Sequence, residues 1–218
     1  MNKFDAVIFD LDGTLCNTFE DLCLSLDAAC EQFGFEPKSR EHHLENINTG
    51  AYEFVRSALP DDVSEQKLKE VFSWYRAYYD THFLDHTTVF EGMKELVINL
   101  RKKGIKTGVL TNKVHSCTLM VIEKFFGFEL FDGILGNTDE FPSKPDTPMT
   151  YEVMKRMGVT ANMKTAMVGD SDVDYHTAKN AALTAIAVTW GYRSKEYLAA
   201  LSPDFMADSV NELHDILL

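Results

Sequence analysis

At 218 residues the chain has room for one larger domain or for a core with a modest insert, and 45% hydrophobic with 25% charged residues describes an ordinary globular protein. The formal net charge of −13 argues against nucleic acid or an anionic membrane as partner, since both select basic surfaces. A small anionic substrate stays open, because a bound cation and one or two cationic side chains reverse the field locally.

Residues 4–9 read as a buried strand whose apolar run stops at Asp10 and Asp12. Acids at Asp5, Asp10 and Asp12 cut that run, and no basic region or cleavage site accompanies it, so neither a signal peptide nor a membrane span is expected and the expected address is the cytoplasm. From 17 to 34, Phe19, Leu22, Cys23, Leu26, Ala29, Cys30 and Phe33 recur at helical steps, with Gly34 as a stop and Pro37 beyond it. Residues 40–59 predict one or two helices broken at Asn48-Thr49-Gly50, and 64–79 predict a long aromatic-rich helix. The span 17–82 is therefore expected to be all-helical, interrupting a core of residues 1–16 and 83–218. Cys16, Cys23, Cys30 and Cys117 show no CxxC spacing, which predicts reduced, partly buried thiols rather than a zinc site or a disulfide framework.

After the block, strands and helices alternate. Strands are expected at 105–110, 131–135, 165–168 and 185–188, with an edge strand at 204–207. Helices are expected at 92–103, 116–126, 149–157, 174–181, 194–200 and 209–217. Alternation of this kind predicts an α/β core, a Rossmann-like and mostly parallel sheet that binds its ligand beyond the carboxyl ends of the strands. Those ends carry Asp10 and Asp12, then Thr111 and Asn112, then Gly169-Asp170.

Two aspartates in a loop are ordinarily a turn or a helix cap. Here they end an apolar strand and are followed by Gly13 and Thr14, which shifts the balance to chemistry: close acids repel unless a cation lies between them. Thr111-Asn112 offers a hydroxyl and backbone donors suited to oxyanions, and Lys144, beside Pro145, offers a counter-charge. Taken singly, these two would be a turn and a solvated lysine. In Gly169-Asp170-Ser171-Asp172-Val173-Asp174, Ser171 and Asp172 suit helix capping, but three acids in five residues after an apolar strand are costly without a cation. Mg²⁺, which takes oxygen ligands and few protein carboxylates, meets that demand with one acid from each cluster and a backbone carbonyl.

In this order, Asp10-Leu11-Asp12-Gly13-Thr14, Thr111-Asn112, Lys144 and Gly169-Asp170-x-x-x-Asp174 resemble the four signatures of the haloacid dehalogenase superfamily. The resemblance spans essentially the whole chain, since the helical block sits where that superfamily inserts a small cap. Within the superfamily the chain is most similar to the phosphoglycolate phosphatase branch, on Asn48-Thr49-Gly50 with Val55-Arg56-Ser57-Ala58-Leu59, Val89-Phe90-Glu91-Gly92 and Leu110-Thr111-Asn112-Lys113. It departs at Asn17-Thr18, where members often carry Asp-Ser, and at Thr147, where many carry proline; neither change removes a group the chemistry needs.

The resemblance implies Mg²⁺-dependent hydrolysis of a small phosphate monoester through an aspartyl-phosphate, in a monomer or homodimer. Asp10 would be nucleophile and metal ligand, and Asp12 would be the proton carrier with its backbone carbonyl on the metal. Asp170 would complete the metal set, with Asp174 in support. Thr111, Asn112 and Lys144 would bind the transferring oxygens. The cap would exclude water and read the leaving group through Asn17, Thr18, Asn48, Thr49 or Arg56, although Arg56 also reads as a solvated helix residue. His82 and His86 read as structural. A phosphomutase, pyrophosphatase or nucleotidase on the same scaffold is the alternative. An idle binding protein is disfavoured because no core group is missing, and a response-regulator-like phosphoacceptor because of the helical insert.

Overall fold

The computed structural model describes residues 3–218. Contacts divide the chain into two compact units, one of residues up to Asn17 together with Val89–Leu218 and one of Thr18–Thr88.

The first unit is built on β1 (Ala6–Phe9), whose four residues are completely buried. A strand apolar on both faces belongs at the centre of a sheet covered on both sides. The crossing to the second unit follows β2 (Cys16–Asn17).

The second unit holds α1 (Phe19–Gln32), α2 (Arg40–Asn46), α3 (Ala51–Ala58) and α4 (Glu65–His82). The α1 stripe of Cys23, Leu26, Ala29 and Cys30 is buried, and α1 packs on α4 through that helix's own stripe of Leu68, Val71, Tyr75 and Tyr79. Ser39 and Ser64 cap α2 and α4 with their side chains, satisfying amides that a helix start leaves open.

The return crossing lies at 88/89 rather than the expected 82/83, and the outward one at 17/18 rather than 16/17. Asp21 of α1 explains the later return. Its carboxylate accepts from His86 N and Thr87 N, both at 2.8 Å, and from Thr87 Oγ1 at 2.7 Å, so the segment after α4 stays with the helices.

Beyond β3 (Thr88–Val89), the chain alternates as predicted: α5 (Met93–Lys102), β4 (Lys106–Val114), α6 (His115–Phe125), β5 (Gly133–Asn137), α7 (Thr147–Arg156), β6 (Thr165–Gly169), α8 (Asp172–Asn180), β7 (Thr184–Val188), α9 (Lys195–Ala200), β8 (Phe205–Ala207) and α10 (Val210–Leu217). The sheet is parallel throughout, in the order β5-β4-β1-β6-β7-β8. Strand order reverses at β1, with β4 on one side and β6 on the other, and the crevice at such a switch point is where parallel sheets bind ligands. Phe9 is abreast of Val109 on β4 and Val168 on β6, so the residues that follow these three strands share one edge.

One strand exceeds its prediction. β4 runs on through Thr111-Asn112-Lys113 to Val114, and its register against β5 shifts between Leu110 and Val114. All four cysteines are free and buried, as expected. Among the described residues, no helix is long and apolar enough to cross a membrane.

Candidate active site

Asp10 leaves β1 with its N–H still donating to Val168 O, at 2.9 Å, so the sheet fixes its backbone. The chain then turns at once: the Leu11 carbonyl accepts from the amides of Thr14, Leu15 and Cys16, at 3.3, 3.0 and 2.9 Å. Gly13 adopts φ +82° in this turn, and a Cβ there would run into the Asp170 carboxylate. Both constraints demand glycine.

Three carboxylates converge. Asp10, Asp170 and Asp174 are buried, and each offers an oxygen within 4.8 Å of the others. Lys144, also buried, is the cation among them, with Nζ 2.9 Å from Asp10 Oδ1 and 2.6 Å from Asp174 Oδ1. Burial, then the Asp174 charge, pushes the Asp10 carboxyl up to about 7 although Lys144 pulls it down. Asp170 is raised well above the usual carboxylate range by burial, then by Asp174 and Asp10. Burial works against the Lys144 ammonium, but the two carboxylates outweigh it and hold its pKa above that of a free lysine.

The other anchors are neutral. Asp170 Oδ1 accepts from Thr14 Oγ1 at 3.0 Å, and Oδ2 accepts from Tyr192 N at 2.8 Å. Gly191 lies so close behind that a Cβ would overlap the Asp170 side chain. Ser171 and Asp174 form a capping box at the start of α8, with Ser171 Oγ 2.7 Å from Asp174 Oδ2. That fixes one Asp174 oxygen and leaves the other on Lys144.

Asp10 Oδ1 is the exception. It is buried, and its close partner among the described residues is the Lys144 ammonium at 2.9 Å, which it shares with Asp174. Three acids around one lysine fit a cation bound by oxygen ligands. Asp10 and Asp170 have the right donor atoms for such an ion.

Of the expected phosphate-binding residues, Thr111 and Asn112 lie in the irregular last part of the neighbouring strand β4. Thr111 is buried, and its Oγ1 accepts from Lys113 N at 3.2 Å. The Asn112 side chain does something its sequence position did not suggest. Its Nδ2 donates to Lys144 O at 3.1 Å, and its Oδ1 accepts from Lys144 N at 2.9 Å, pinning the lysine's backbone.

Asp12 points elsewhere. Its carboxylate is only partly buried and pairs with the buried Lys113, whose Nζ lies 3.2 Å from Oδ1. Burial works against the Lys113 charge, but Asp12 outweighs it and raises its pKa. Ser171 caps α8 as its sequence position suggests, whereas Gly191 and Tyr192 are not anticipated by the sequence and Lys113 stands there without an assigned role. Of these three, only Lys113 carries a signal, being a cation directly after Thr111-Asn112.

Within the helical unit, Arg56 lies partly exposed at the surface and closes the turn after α3: Nη1 donates to Pro60 O at 3.1 Å and Nη2 to Asp61 O at 2.9 Å. Thr49 Oγ1 donates to Asn46 O at 2.6 Å. His82 bonds Tyr78 O through Nδ1 at 2.8 Å and stacks on the Tyr78 ring, a structural role. His86 likewise gives its N–H to Asp21.

Residues 7–188 match the family model of haloacid dehalogenase-like hydrolases. The chain is 32% identical to the phosphoglycolate phosphatase of Vibrio parahaemolyticus, covering 97% of this chain and 95% of that protein. It is 29% identical to the pyrophosphatase PpaX of Bacillus cereus, over 99% of this chain and 97% of that one. A solved structure of a proposed phosphoglycolate phosphatase from Lactobacillus delbrueckii superposes with a TM-score of 0.92 at 30% identity, covering 100% of this chain and 99% of that one. The motifs, the sheet order and the family match agree: the chain belongs to the haloacid dehalogenase-like hydrolases.

Proposed function

We propose that the protein is a Mg²⁺-dependent phosphatase that hydrolyses a small phosphate monoester through an aspartyl-phosphate, with 2-phosphoglycolate as the first substrate to test. The observation that carries the proposal is the buried triad of Asp10, Asp170 and Asp174, three acids whose oxygens converge with a single lysine among them. The name of the Vibrio relative supports this choice of substrate.

In this reading Asp10, Asp170 and the Asp12 backbone carbonyl hold the ion, which supplies positive charge against the phosphate dianion. The Asp10 carboxylate attacks phosphorus as the bond to the leaving oxygen breaks, and the Asp12 carboxyl gives that oxygen its proton. Asp12, now a carboxylate, takes a proton from water as the water attacks phosphorus. The Asp10–phosphorus bond breaks, inorganic phosphate leaves and Asp10 is restored. Lys144 and Thr111, with the Asn112 backbone, bind the transferring oxygens. The Asn112 side chain and Asp174 hold Lys144 in place for that task.

Phosphate release from 2-phosphoglycolate with Mg²⁺, silenced by EDTA and restored by added Mg²⁺, is the expected result. Turnover that survives full chelation rejects the metal role. Inorganic pyrophosphate belongs in the same assay, because the Bacillus cereus relative carries the name of a pyrophosphatase. A kcat/KM for pyrophosphate above that for every phosphomonoester would replace the monoester reading.

A further inference from the structure

Lys113 is a second buried cation, and the steps above do not use it. Its side chain is 3% exposed, with Nζ 3.2 Å from Asp12 Oδ1 and 3.5 Å from Oδ2. A lysine is rarely buried to this depth without a paired carboxylate, and Asp12 is the acid it faces.

Its backbone is built to stay put. The Lys113 N–H donates to Thr111 Oγ1 at 3.2 Å, and its carbonyl accepts from Thr118 Oγ1 at 3.3 Å. Gly136 of β5 packs so tightly that a Cβ would stand 2.6 Å from that same carbonyl. The Gly136 N–H in turn donates to His115 Nδ1 at 3.1 Å, tying β5 to the start of α6. All of this falls where β4 shifts register against β5, and such irregularities re-aim side chains at sites.

Asp12 has a matching need. It stands two residues from Asp10, yet its carboxylate is not among the three that converge. An aspartate side chain has three staggered χ1 wells, so a partner must select the one that keeps it apart.

We infer that Lys113 is the positioning residue of Asp12: its ammonium, fixed by the irregular end of β4, holds the Asp12 carboxylate apart from the cation-binding acids and in one orientation for proton transfer. This rests on the reading of Asp12 as the proton carrier. Lys113 acts through Asp12 and touches neither the phosphate nor the leaving group.

The test is Lys113→Met, with Lys113→Gln in its place if the methionine variant does not fold. Leaving groups separate the roles, because an alkoxide needs a proton to depart and 4-nitrophenolate does not. In the variant, kcat/KM for 2-phosphoglycolate falls about 10- to 100-fold while that for 4-nitrophenyl phosphate stays within about threefold. An equal fall on both esters means a structural role and overturns the inference. Affinity for 2-phosphoglycolate, measured on the Asp10→Asn background to stop turnover, is unchanged by Lys113→Met; a loss beyond about tenfold makes Lys113 a substrate ligand and also overturns it. Crystal structures of wild type and Lys113→Met decide the geometry without any assay. The Asp12 carboxylate leaves its wild-type orientation in the variant, and an unmoved carboxylate refutes the positioning role. If the wild type hydrolyses neither ester, the phosphatase reading fails while the crystallographic comparison still judges Lys113.

Discussion

Asp21 in the helical unit and Asp10 in the sheet unit are buried to similar depth, 2% and 8% exposed, in opposite surroundings. Asp21 is surrounded by neutral donors: two amides and a hydroxyl from residues 86 and 87 occupy both of its oxygens. Asp10 is surrounded by charge, with two more acids at hand and one lysine that it shares with Asp174. Burial of a carboxylate therefore does not mark a site. A satisfied one is a tie between segments, and a crowded one is where a ligand has been left room.

The sharpest way to break the comparison is to neutralise the crowded acid. Asp10→Asn is expected to cut turnover of 2-phosphoglycolate by about 10⁴-fold, the scale on which removal of a nucleophile is felt. Its melting temperature should hold or rise, since one of three repelling groups has gone. A variant that keeps near-normal turnover rejects Asp10 as nucleophile.

Stability against pH tests the same crowding without turnover. With metal chelated, the Asp10 carboxyl lies near 7 in the folded protein against 3.8 ordinarily. Across roughly pH 4 to 7 the folded state thus keeps a proton that the unfolded chain has lost. The stabilisation is fully present below about pH 4 and is lost as pH rises through 7; at about 1.4 kcal/mol per unit it amounts to on the order of 4 kcal/mol. Asp170 shifts in the same direction. Chelated wild type should lose stability relative to chelated Asp10→Asn over this window. Mg²⁺ should raise the wild-type melting temperature more at pH 7.5 than at pH 5, and an equal rise at both would contradict the assignment.

The satisfied acid should behave in reverse. Asp21→Ala strands two amides, while the Thr87 hydroxyl keeps the Phe83 carbonyl as acceptor at 2.9 Å; unmet buried donors cost about 1–3 kcal/mol each, so a loss of about 3 kcal/mol is expected in denaturant melts. Loss of turnover per folded molecule as deep as that of Asp10→Asn would erase the distinction.

The sequence spelled out what is local. Alternating apolar runs and helical stripes placed nearly every element, because periodicity is a property of neighbours. The acids, Thr111 and Lys144 were legible because a polar residue at the end of an apolar strand has few other uses. What stayed hidden depends on distant partners. Lys113 stands out locally only as a cation after Thr111-Asn112; its pairing with Asp12, 101 positions away, has no local signature. Tyr192 serves Asp170 with its backbone N–H, which any residue but proline possesses. The return to the sheet unit comes later than the helix end at His82 because Asp21 ties residues 65 and 66 positions later to the helices.

Thr14→Val is the smallest of these changes and isolates one neutral donor on a crowded acid. Thr14 is fully buried, and valine keeps its shape while removing the hydroxyl that donates to Asp170 Oδ1. The Thr14 carbonyl keeps its own bond from Trp190 Nε1, at 3.2 Å, so the turn itself should hold. One net hydrogen bond to a charged group suggests a stability loss of about 1.5 kcal/mol. The larger consequence should be in Mg²⁺ affinity. A carboxylate freed on one side no longer presents its oxygen in a fixed place, and loss of an outer partner of this kind weakens metal binding about 10-fold or more. Titration calorimetry with Mg²⁺ on wild type and Thr14→Val reads the difference directly. Unchanged affinity would mean that Tyr192 N alone is enough to orient Asp170.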